Sequence, residues 1–340
     1  MTPTVSVVIV NFNRRDLLAR AVDSVHAQSR KDVEIVVVDN GSVDGSMEYL
    51  RTIESENVRV VSLSTNQGFA GGCNAGIRPA RGRFIVTLNN DAEASPRWLE
   101  ELLKVAESDP SVGMCASKIV FHGDHGRIDK VGHLIYLDGL NHGRGSGEPD
   151  VGQFEREEEV LFPDGAAALY RREMLDGIGL FDETFFAYGD DADLGLRGRL
   201  AGWNCIYVPT AIVYHRHSAT SGKFSAFKAF LIERNRIWVA VKIFPLPLLL
   251  LSPAFTLLRF AFHAYGALFM VGSSGQYAAD SSRVQLALTI LKAYASGLRH
   301  MPEMLVKRGG IQRSAKVTRQ AFTALLLKHR IKLRALTLGT

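Results

Sequence analysis

Cysteine is scarce in this sequence, with only Cys73, Cys115 and Cys205 among 340 residues. The three lie far apart and form no C-x-x-C pair, so neither a disulfide framework nor a structural zinc site is supported. Few and widely spaced cysteines are typical of a protein in a reducing compartment. The chain also shows no internal repeat, and its composition of 46% hydrophobic and 22% charged residues excludes a disordered or collagen-like protein.

Clear membrane signals are also lacking. No basic segment precedes the first apolar run, so we predict no secretory leader and a protein body that stays in the cytoplasm. The most apolar stretch, Phe244–Val271, is interrupted by three prolines, an arginine and a histidine. It therefore falls short of the roughly 20 uninterrupted apolar residues of a regular membrane span. We expect it to lie in a membrane interface or to re-enter it, with a span or a buried helical hairpin as alternatives.

Charge is distributed unevenly along the chain. Residues 241–340 contain fourteen Lys or Arg and two acidic residues, a formal charge of +12, and since the whole chain carries +5, residues 1–240 carry −7. A basic, apolar tail favours contact with an anionic surface, either membrane lipid or nucleic acid, although a solvated basic face is an alternative. At 340 residues the chain can form two domains, and we place their boundary between residues 240 and 241.

Strand and helix patterns alternate over residues 5–88. Short runs rich in β-branched residues predict four buried strands, at Val5–Val10, Val33–Val38, Val58–Leu63 and Phe84–Leu88. Helical spacing predicts helices between them, at Asp16–Gln28, at Ser46–Glu54 and from the second half of a glycine-rich segment, Asn66–Gly76. This alternation predicts an α/β fold with a mostly parallel sheet.

The chain between residues 123 and 215 is less regular. Gly123–Glu159 has little periodicity, and we expect it to form an excursion over the functional site. Beyond it we predict an apolar segment at Leu161–Tyr170, a helix beginning near Gly189, and short strands at Trp203–Val208 and Ala211–Tyr214.

Polar side chains follow the predicted strands. Asn11, Asp39, Asn66 and Asp91 fall at or shortly after the carboxyl ends of the four strands. Because those ends meet at one edge of a parallel sheet, where open α/β proteins bind ligands, the pattern indicates a nucleotide-type ligand. Asp39 could accept a hydrogen bond from a pyrimidine N–H or a ribose hydroxyl, or it could cap the following turn.

The glycine-rich segment lacks the G-x-G-x-x-G fingerprint, which argues against a dinucleotide. Its glycines would let backbone N–H groups approach a pyrophosphate at the start of a helix. We therefore expect Asn66, Gly72 and Asn74 to lie in the nucleotide site.

A divalent cation site is predicted from a second polar cluster. Asn89 and Asp91, separated by Asn90, would lie on one side of an extended chain and could hold an ion that bridges two phosphates. A simple turn is the alternative. His215, at a strand end, could complete the metal shell as a neutral imidazole, in competition with His217.

Three carboxylates, Asp190, Asp191 and Asp193, stand at the start of a predicted helix. The helix dipole stabilises their charge in part, yet mutual repulsion should raise the pKa of at least one of them. A carboxylate tuned in this way suits a general base. Helix capping would account for one or two of the acids, but not for the neighbouring aromatic residues Phe185 and Tyr188.

Together these motifs resemble the family-2 glycosyltransferases, and particularly the bacterial rhamnosyltransferase-like members. The matching blocks run in family order: VSVVIVNFN (5–13), VVVDNGSVDGS (36–46), NQGFAGGCNAGI (66–77), LNNDA (88–92), residues 179–202, and VYHRHSATS (213–221). The resemblance implies a GT-A fold for the first 240 residues and a C-terminal helical region that associates with a membrane.

The resemblance also implies roles for single residues. Phe12 and Asp39 would contact the nucleotide base, and we count Asn11 and Asn90 with the nucleotide-binding residues.

Asn89-x-Asp91 stands for the D-x-D metal motif, and His215 for a metal or pyrophosphate contact. Asp191 is implied as the catalytic base, with Asp190 beside it. Two departures are that Asn89 replaces an Asp and that Asp190 stands where the family usually has Glu.

The implied reaction is an inverting transfer of a sugar from a nucleoside diphosphate to a hydroxyl, with Mg²⁺ or Mn²⁺ as cofactor. Family likeness favours dTDP-rhamnose and leaves UDP-sugars open. A glycan or polyprenyl-diphosphate-linked acceptor would explain the apolar stretch and the basic tail. The expected partner is an anionic membrane surface, not nucleic acid, at the cytoplasmic face of the bacterial inner membrane.

Two rival functions are less consistent with the sequence. A nucleotidyltransferase normally has a basic glycine-rich loop early in the chain, and Asn11–Arg15 is not such a loop. A non-catalytic protein that binds membranes or nucleic acid through the basic tail would not need the ordered acidic residues.

Overall fold

The computed structural model of the chain describes residues 3–216, 225–269 and 283–338. They form two compact units, each built from two stretches of chain. The first unit comprises Met1–His133 and Gly143–Ala219, and the second comprises Leu134–His142 and Thr220–Thr340. The sequence-based boundary at residue 240 therefore differs from this division, which assigns the helix at Ala226–Ile243 to the second unit.

The first unit combines strands with helices, and a two-stranded hairpin, β8–β9, lies where the chain passes between the units. The strands are β1 (Val5–Asn11), β2 (Val33–Asp39), β3 (Val58–Ser62), β4 (Phe84–Asn89), β5 (Ala92–Ala94), β6 (Val112–Phe121), β7 (Asp124–Lys130), β8 (His133–Ile135), β9 (Asn141–Gly143), β10 (Glu158–Glu159), β11 (Ala167–Arg171) and β12 (Asn204–His215). The helices are α1 (Arg15–His26), α2 (Ser46–Ile53), α3 (Gly68–Ile77), α4 (Trp98–Ser108), α5 (Arg172–Ile178) and α6 (Asp190–Leu200), with a short 3-10 helix at Glu183–Phe185.

Among the described residues, ten strands form one sheet in the order β10-β12-β6-β11-β4-β1-β2-β3, with β5 beside β12 and β7 beside β6. Strands β1 to β4 are all parallel, and β11 lies antiparallel between β4 and β6. The predicted α/β fold is confirmed, and so are its four parallel strands.

Helices cover both faces of the central strands. Val7 and Ile9 of β1 pack into the core on the side of α1 and α4, whereas Val8 packs on the side of α3. Because side chains alternate between two buried faces, such strands read as continuous apolar runs. This is why the sequence pattern located them.

The three cysteines are free and fully buried in these cores. Cys73 lies on α3, Cys115 on β6 and Cys205 on β12. Burial raises the pKa of the Cys205 thiol to about 12. The thiols therefore act as small apolar side chains.

The two short strands predicted at Trp203–Val208 and Ala211–Tyr214 form one strand, β12. Its register against β6 shifts between Val208 and Ile212. Pro209, which separates the two predicted strands, lies at this irregularity and has no backbone N–H to donate to the neighbouring strand. The proline therefore marks a bulge within one strand.

The second unit is helical. Its helices are α7 (Ala226–Ile243), α8 (Leu246–Leu268), α9 (Arg283–Arg299), α10 (Met301–Arg313), α11 (Arg319–Lys328) and α12 (Leu333–Leu338). Helix α7 packs against α9 and α10, which explains why it belongs to this unit.

Most of the apolar stretch forms one continuous helix, α8, despite its three prolines. Pro245 and Pro247 lie at its start, where the backbone N–H is not needed. Pro253 lies inside the helix and cannot donate to the carbonyl of Leu249, which accepts instead from Oγ of Ser252 at 2.8 Å. Residues 270 and 271 of the stretch lie outside the described residues.

Within the part of the chain that the structure describes, α8 is the one helix long and apolar enough, over Leu246–Gly266, to cross a membrane. Most of this window is exposed, with Leu250 and Leu257 both more than 70% exposed, so the alternative of a buried hairpin is wrong. Arg259, by contrast, is buried: its guanidinium lies 2.8 Å from Oε1 of Glu233 on α7 and 2.8 Å from Oδ2 of Asp138.

Candidate active site

The carboxyl ends of β1, β2 and β4 bring polar side chains together, as the sequence predicts. Asn11 lies beside Asp39 in the parallel register of β1 and β2. Nδ2 of Asn90 donates to Oδ1 of Asn11 at 2.7 Å, and Nδ2 of Asn11 donates to Oγ of Ser46 at 2.9 Å. The buried Asn11 therefore holds neighbouring strand ends in place, and its contact with a nucleotide stays a prediction.

Asp39 ends β2 with one oxygen unused. Its side chain is 1% exposed, and Oδ2 accepts from the backbone N–H of Ser42 at 3.2 Å. Oδ1 is buried and has no hydrogen-bond partner among the described residues. Since a buried acceptor without a donor costs free energy, this oxygen is suited to a ligand's N–H or O–H group.

Phe12, Asn66 and Asn89 lie at the same edge of the sheet. Phe12 follows β1 and Asn89 ends β4, and both are half-buried. Asn66 is exposed, and its Oδ1 accepts from Nδ2 of Asn40 at 3.1 Å and from the backbone N–H of Gly68 at 2.8 Å. The strand ends thus frame one polar surface.

The glycine-rich helix α3 packs closely on the sheet. A Cβ on Gly72 would lie 2.5 Å from Cγ1 of Val10, so this glycine lets α3 approach β1. Three amides near the helix start already donate within the protein: Gln67 to Asn40, Gly68 to Asn66 and Ala70 to Phe186. The structure therefore gives Gly72 a packing role, and its contact with a pyrophosphate stays a prediction.

Asn74, also predicted in the nucleotide site, supports the loop before the acidic helix. Its Nδ2 donates to the carbonyl of Phe181 at 2.9 Å and to Oε1 of Glu183 at 2.8 Å, and its Oδ1 accepts from the N–H of Phe181 at 3.0 Å. The side chain is thereby fully engaged in positioning residues 181–183.

The predicted metal residues Asp91 and His215 are neighbours. Nε2 of His215 lies 3.2 Å from Oδ1 of Asp91, and Nδ1 lies 2.6 Å from Oδ2 of Asp129. All three side chains are buried. Burial alone would lower the pKa of His215, but the hydrogen bonds to the two carboxylates raise it to about 9.

This arrangement fits a divalent cation. With Nδ1–H donating to Asp129, a neutral His215 directs the lone pair of Nε2 towards the carboxylate of Asp91. A cation between these atoms would replace the shared proton. His217, the predicted competitor, lies outside the described residues.

The predicted catalytic carboxylates open helix α6, after Gly189 with a φ of 78°. Burial and the neighbouring Asp191 raise the pKa of Asp190 well above its ordinary value. Oδ2 of Asp190 is buried and has no hydrogen-bond partner among the residues that the structure describes. Burial also raises the pKa of Asp191, although His133 offsets part of that rise.

Three ionisable side chains that the sequence did not indicate complete the acidic site. Nε2 of His133 lies 3.6 Å from Oδ2 of Asp191 and 2.8 Å from Oδ2 of Asp164. Nζ of Lys130 lies 2.7 Å from the same Asp164 oxygen. Burial would raise the pKa of Asp164, but Lys130 and His133 hold it well below its usual range.

In the described part of the chain, ligand atoms of His133, Asp164 and Asp191 lie within 4.8 Å of one another, a spacing that could hold a metal ion. However, the ammonium group of Lys130 already lies against Asp164. This group is therefore balanced by a cationic side chain without a metal.

The sequence offered little signal for Asp129, Lys130 and His133. Asp129 and Lys130 end β7 and His133 begins β8, within the segment that we expect from the sequence to form an excursion over the functional site. Asp164 had a weak signal, since it follows a short apolar run and directly precedes Gly165.

Solved structures share this fold. Mannosyltransferase PcManGT from Pyrobaculum calidifontis, in complex with GDP-Man and Mn²⁺, is similar with a TM-score of 0.55 at 18% identity, over 94% of this chain and 88% of that chain. GalNAc-T7 with UDP, GalNAc and Mn²⁺ is similar with a TM-score of 0.59 at 16% identity, over 89% of this chain and 56% of that chain. The likeness to these two structures shows that the chain has the GT-A fold.

The sequence identifies the family among proteins of this fold. The profile of "Glycosyl transferase family 2" matches residues 6–179, just over half of the chain. The protein belongs to this family. The family and the GT-A fold predicted from the sequence motifs are confirmed.

Three relatives are bacterial proteins, and two of them are named for steps of glycan synthesis. The N-acetylglucosaminyl-diphospho-decaprenol L-rhamnosyltransferase of Mycobacterium tuberculosis is 26% identical over 250 residues, 66% of this chain and 79% of that protein. Uncharacterized protein y4gI of Sinorhizobium fredii is 32% identical over 65% of this chain, and O-antigen biosynthesis protein RfbC of Myxococcus xanthus is 30% identical over 64%. The matches span only 25% and 18% of these last two proteins.

Proposed function

We propose that this enzyme transfers its sugar with inversion, in a single displacement in which Asp191 takes the proton of the acceptor hydroxyl. The observation that carries the proposal is the surroundings of Asp191. Its side chain is 13% exposed, lies 3.6 Å from Nε2 of His133, and stands beside Asp190, whose pKa is raised well above its ordinary value. A largely buried carboxylate with a raised pKa is well suited to accept a proton.

Residues at the carboxyl edge of the sheet would bind the donor. The unused Oδ1 of Asp39 suits the N–H of a pyrimidine base, and Phe12 would pack against the ring. Asn66 and Asn90 would line the same edge.

A divalent cation, Mg²⁺ or Mn²⁺, would be held by Asp91 and His215, with Asn89 as a neutral oxygen ligand. When bound, it would neutralise the leaving nucleoside diphosphate. Asp129 would keep Nε2 of His215 directed at that position. The cation that both solved neighbours contain, Mn²⁺, supports this assignment.

The donor and the acceptor are proposed from similarity. The relative from Mycobacterium tuberculosis is named as a rhamnosyltransferase acting on a polyprenyl-diphosphate-linked sugar. We therefore propose dTDP-rhamnose as donor, with UDP-sugars as the alternative, and a polyprenyl-diphosphate-linked or cell-surface glycan as acceptor.

Calorimetry tests the donor site. The purified protein would be titrated with dTDP, UDP, GDP and NAD, with and without Mn²⁺. We expect Mn²⁺-dependent binding of a pyrimidine diphosphate that Asp91→Ala abolishes and Asp124→Ala, an exposed acid on β7, leaves intact. If the folded protein binds none of these nucleotides, the proposal is wrong.

Turnover tests the base. Asp191→Asn should bind the nucleotide normally but lose about 10²- to 10⁴-fold in kcat, since only proton transfer is removed. The anomeric configuration of the product, read by NMR, should be opposite to that of the donor. Retained configuration would exclude the single displacement.

We further propose that the second unit binds an anionic membrane surface, on the cytoplasmic side, with α8 in the plane of the interface. Leucines 250, 257 and 258 of α8 are exposed. Arg259 is held by Glu233 and Asp138, so the middle of α8 could enter the bilayer centre only together with those charges. Exposed basic residues suit anionic lipid: Lys292, Arg299, Arg313, Lys316, Arg319, Lys328 and Arg330.

Vesicle sedimentation tests this orientation. We expect binding to phosphatidylglycerol vesicles that falls with salt and is lost in a Leu250→Asp/Leu257→Asp double variant. Val151→Asp, at an exposed apolar position of the first unit, is the control. Protein that stays in membranes after alkaline extraction would instead indicate a span.

A further inference from the structure

A row of ionisable side chains lies behind the proposed base. Nζ of Lys130 is 2.7 Å from Oδ2 of Asp164, that oxygen is 2.8 Å from Nε2 of His133, and that nitrogen is 3.6 Å from Oδ2 of Asp191. We infer that Lys130 is a positioning residue, which acts through Asp164 and His133 to keep Asp191 an ionised carboxylate at neutral pH. The inference rests on the proposed role of Asp191.

The row is held rigidly by its surroundings. The stem of Lys130 runs where Gly143 has no side chain, since a Cβ there would lie 2.5 Å from Cγ of the lysine. The ring of His133 stacks on Phe162 with centroids 5.0 Å apart and planes 12° apart. Oδ1 of Asp164 accepts from the N–H of Ala166 at 2.9 Å. Each member therefore has a fixed position relative to the next.

The charges around Asp191 explain why a positively charged side chain is needed near it. The titratable groups that face the base are Asp190, Asp164, His133, Lys130 and Tyr170. Two of them are carboxylates, and like charges in a buried site favour the uptake of a proton. A base that already carries a proton cannot take one from the acceptor. Lys130, whose pKa is raised by its acidic neighbours despite burial, supplies a permanent positive charge.

The experiment compares Lys130→Met with Lys130→Arg. Difference infrared spectra across pH would follow the carbonyl stretch of the protonated carboxyl group, assigned by its loss in Asp191→Asn. This readout needs no substrate. We expect the titration midpoint of Asp191 to move up by about one pH unit or more in the Met variant, and to stay near the parental value in the Arg variant.

Turnover should follow the same change. The rate of nucleoside diphosphate release would be measured against pH with dTDP-rhamnose and Mn²⁺. In the Met variant, the acid limb of this pH–rate profile should move to higher pH. If the limb moves by about one pH unit, the Met variant should lose up to about tenfold in rate at acidic pH, below the midpoint of its own profile, and recover the parental rate at alkaline pH.

Lys118→Met is the matched control. Lys118 is a buried lysine of the same unit, with Nζ 2.7 Å from Oδ2 of Asp150 and 2.6 Å from Oε1 of Glu155. Its removal should affect stability without moving the Asp191 midpoint. If the Met variant at 130 does not fold, Lys130→Gln replaces it.

The outcomes separate this inference from the proposed function. An unchanged midpoint in a folded Met or Gln variant, or an equal change in the Arg or Lys118 variant, overturns the role of Lys130 alone. Full turnover by Asp191→Asn overturns the proposed base and this inference with it.

Discussion

Oδ2 of Asp129 lies 2.6 Å from Nδ1 of His215, and both side chains are buried. The two residues are 86 positions apart in the chain and belong to β7 and β12. Because the carboxylate holds one ring nitrogen, the other nitrogen faces Asp91. Asp129 thus determines which atom of the imidazole can bind a cation.

Replacing Asp129 should weaken the cation site. In Asp129→Asn the imidazole loses a charged partner, so we expect Mn²⁺-dependent binding of the nucleotide to weaken about 10- to 100-fold. Titration calorimetry with dTDP measures this. Asp124→Asn, at the exposed start of the same strand, should bind like the parent, and equal affinities in both variants would contradict the role of Asp129.

The stability of the metal-free protein should depend on the proton of His215. The folded pKa of about 9 exceeds the unfolded value of about 6.5, so the stabilisation is complete below pH 6.5 and is lost as pH rises through 9. We expect His215 to contribute about 3 kcal/mol more to the free energy of unfolding at pH 6 than at pH 10. Urea unfolding in chelator, compared between the parent and His215→Gln, measures this. A parent-to-variant difference that is constant with pH would exclude the effect.

Asp39→Asn should separate ligand binding from folding. The change removes the charge of an oxygen that has no donor within the described structure, so the variant should be at least as stable as the parent. Its affinity for a pyrimidine diphosphate should fall by about tenfold or more, since a charged hydrogen bond is lost. Asp32→Asn, paired with Arg30 at the opposite end of β2, is the control for calorimetry and thermal melting.

Gly72→Ala tests whether this glycine serves packing or phosphate binding. The new Cβ would lie 2.5 Å from Val10, so we expect the free energy of unfolding to fall by about 1–3 kcal/mol in urea. Gly177→Ala, with open space around its Cβ in α5, should not be destabilised. A stable Gly72 variant with weakened nucleotide binding would support the phosphate role.

The strands of the site edge were predictable because their signal is local. Val5–Val10 was predicted and Val5–Asn11 observed, so the polar residues that follow were assigned to the correct edge. Asp129 and Lys130 were not predictable, because their partners, His215 and Asp164, lie far along the chain. No short window of sequence records such a pairing.

The sequence showed three prolines in the apolar stretch, but not whether they end a helix. Pro245 and Pro247 lie at the start of α8 and Pro253 lies inside it. Proline lacks the N–H that would donate to the carbonyl of Leu249, and the hydroxyl of Ser252 donates to that carbonyl. Such a local replacement depends on a side-chain position that hydrophobic periodicity does not predict.

Reaction of the buried cysteines with an alkylating reagent can be used to measure opening of the first unit. All three thiols lie in that unit and are shielded from solvent, so an alkylating reagent reaches them only when the unit opens. The described residues of the second unit contain no cysteine. The rate of thiol labelling therefore measures opening of the first unit alone. It distinguishes opening of this unit from opening of the helical unit without any engineered probe.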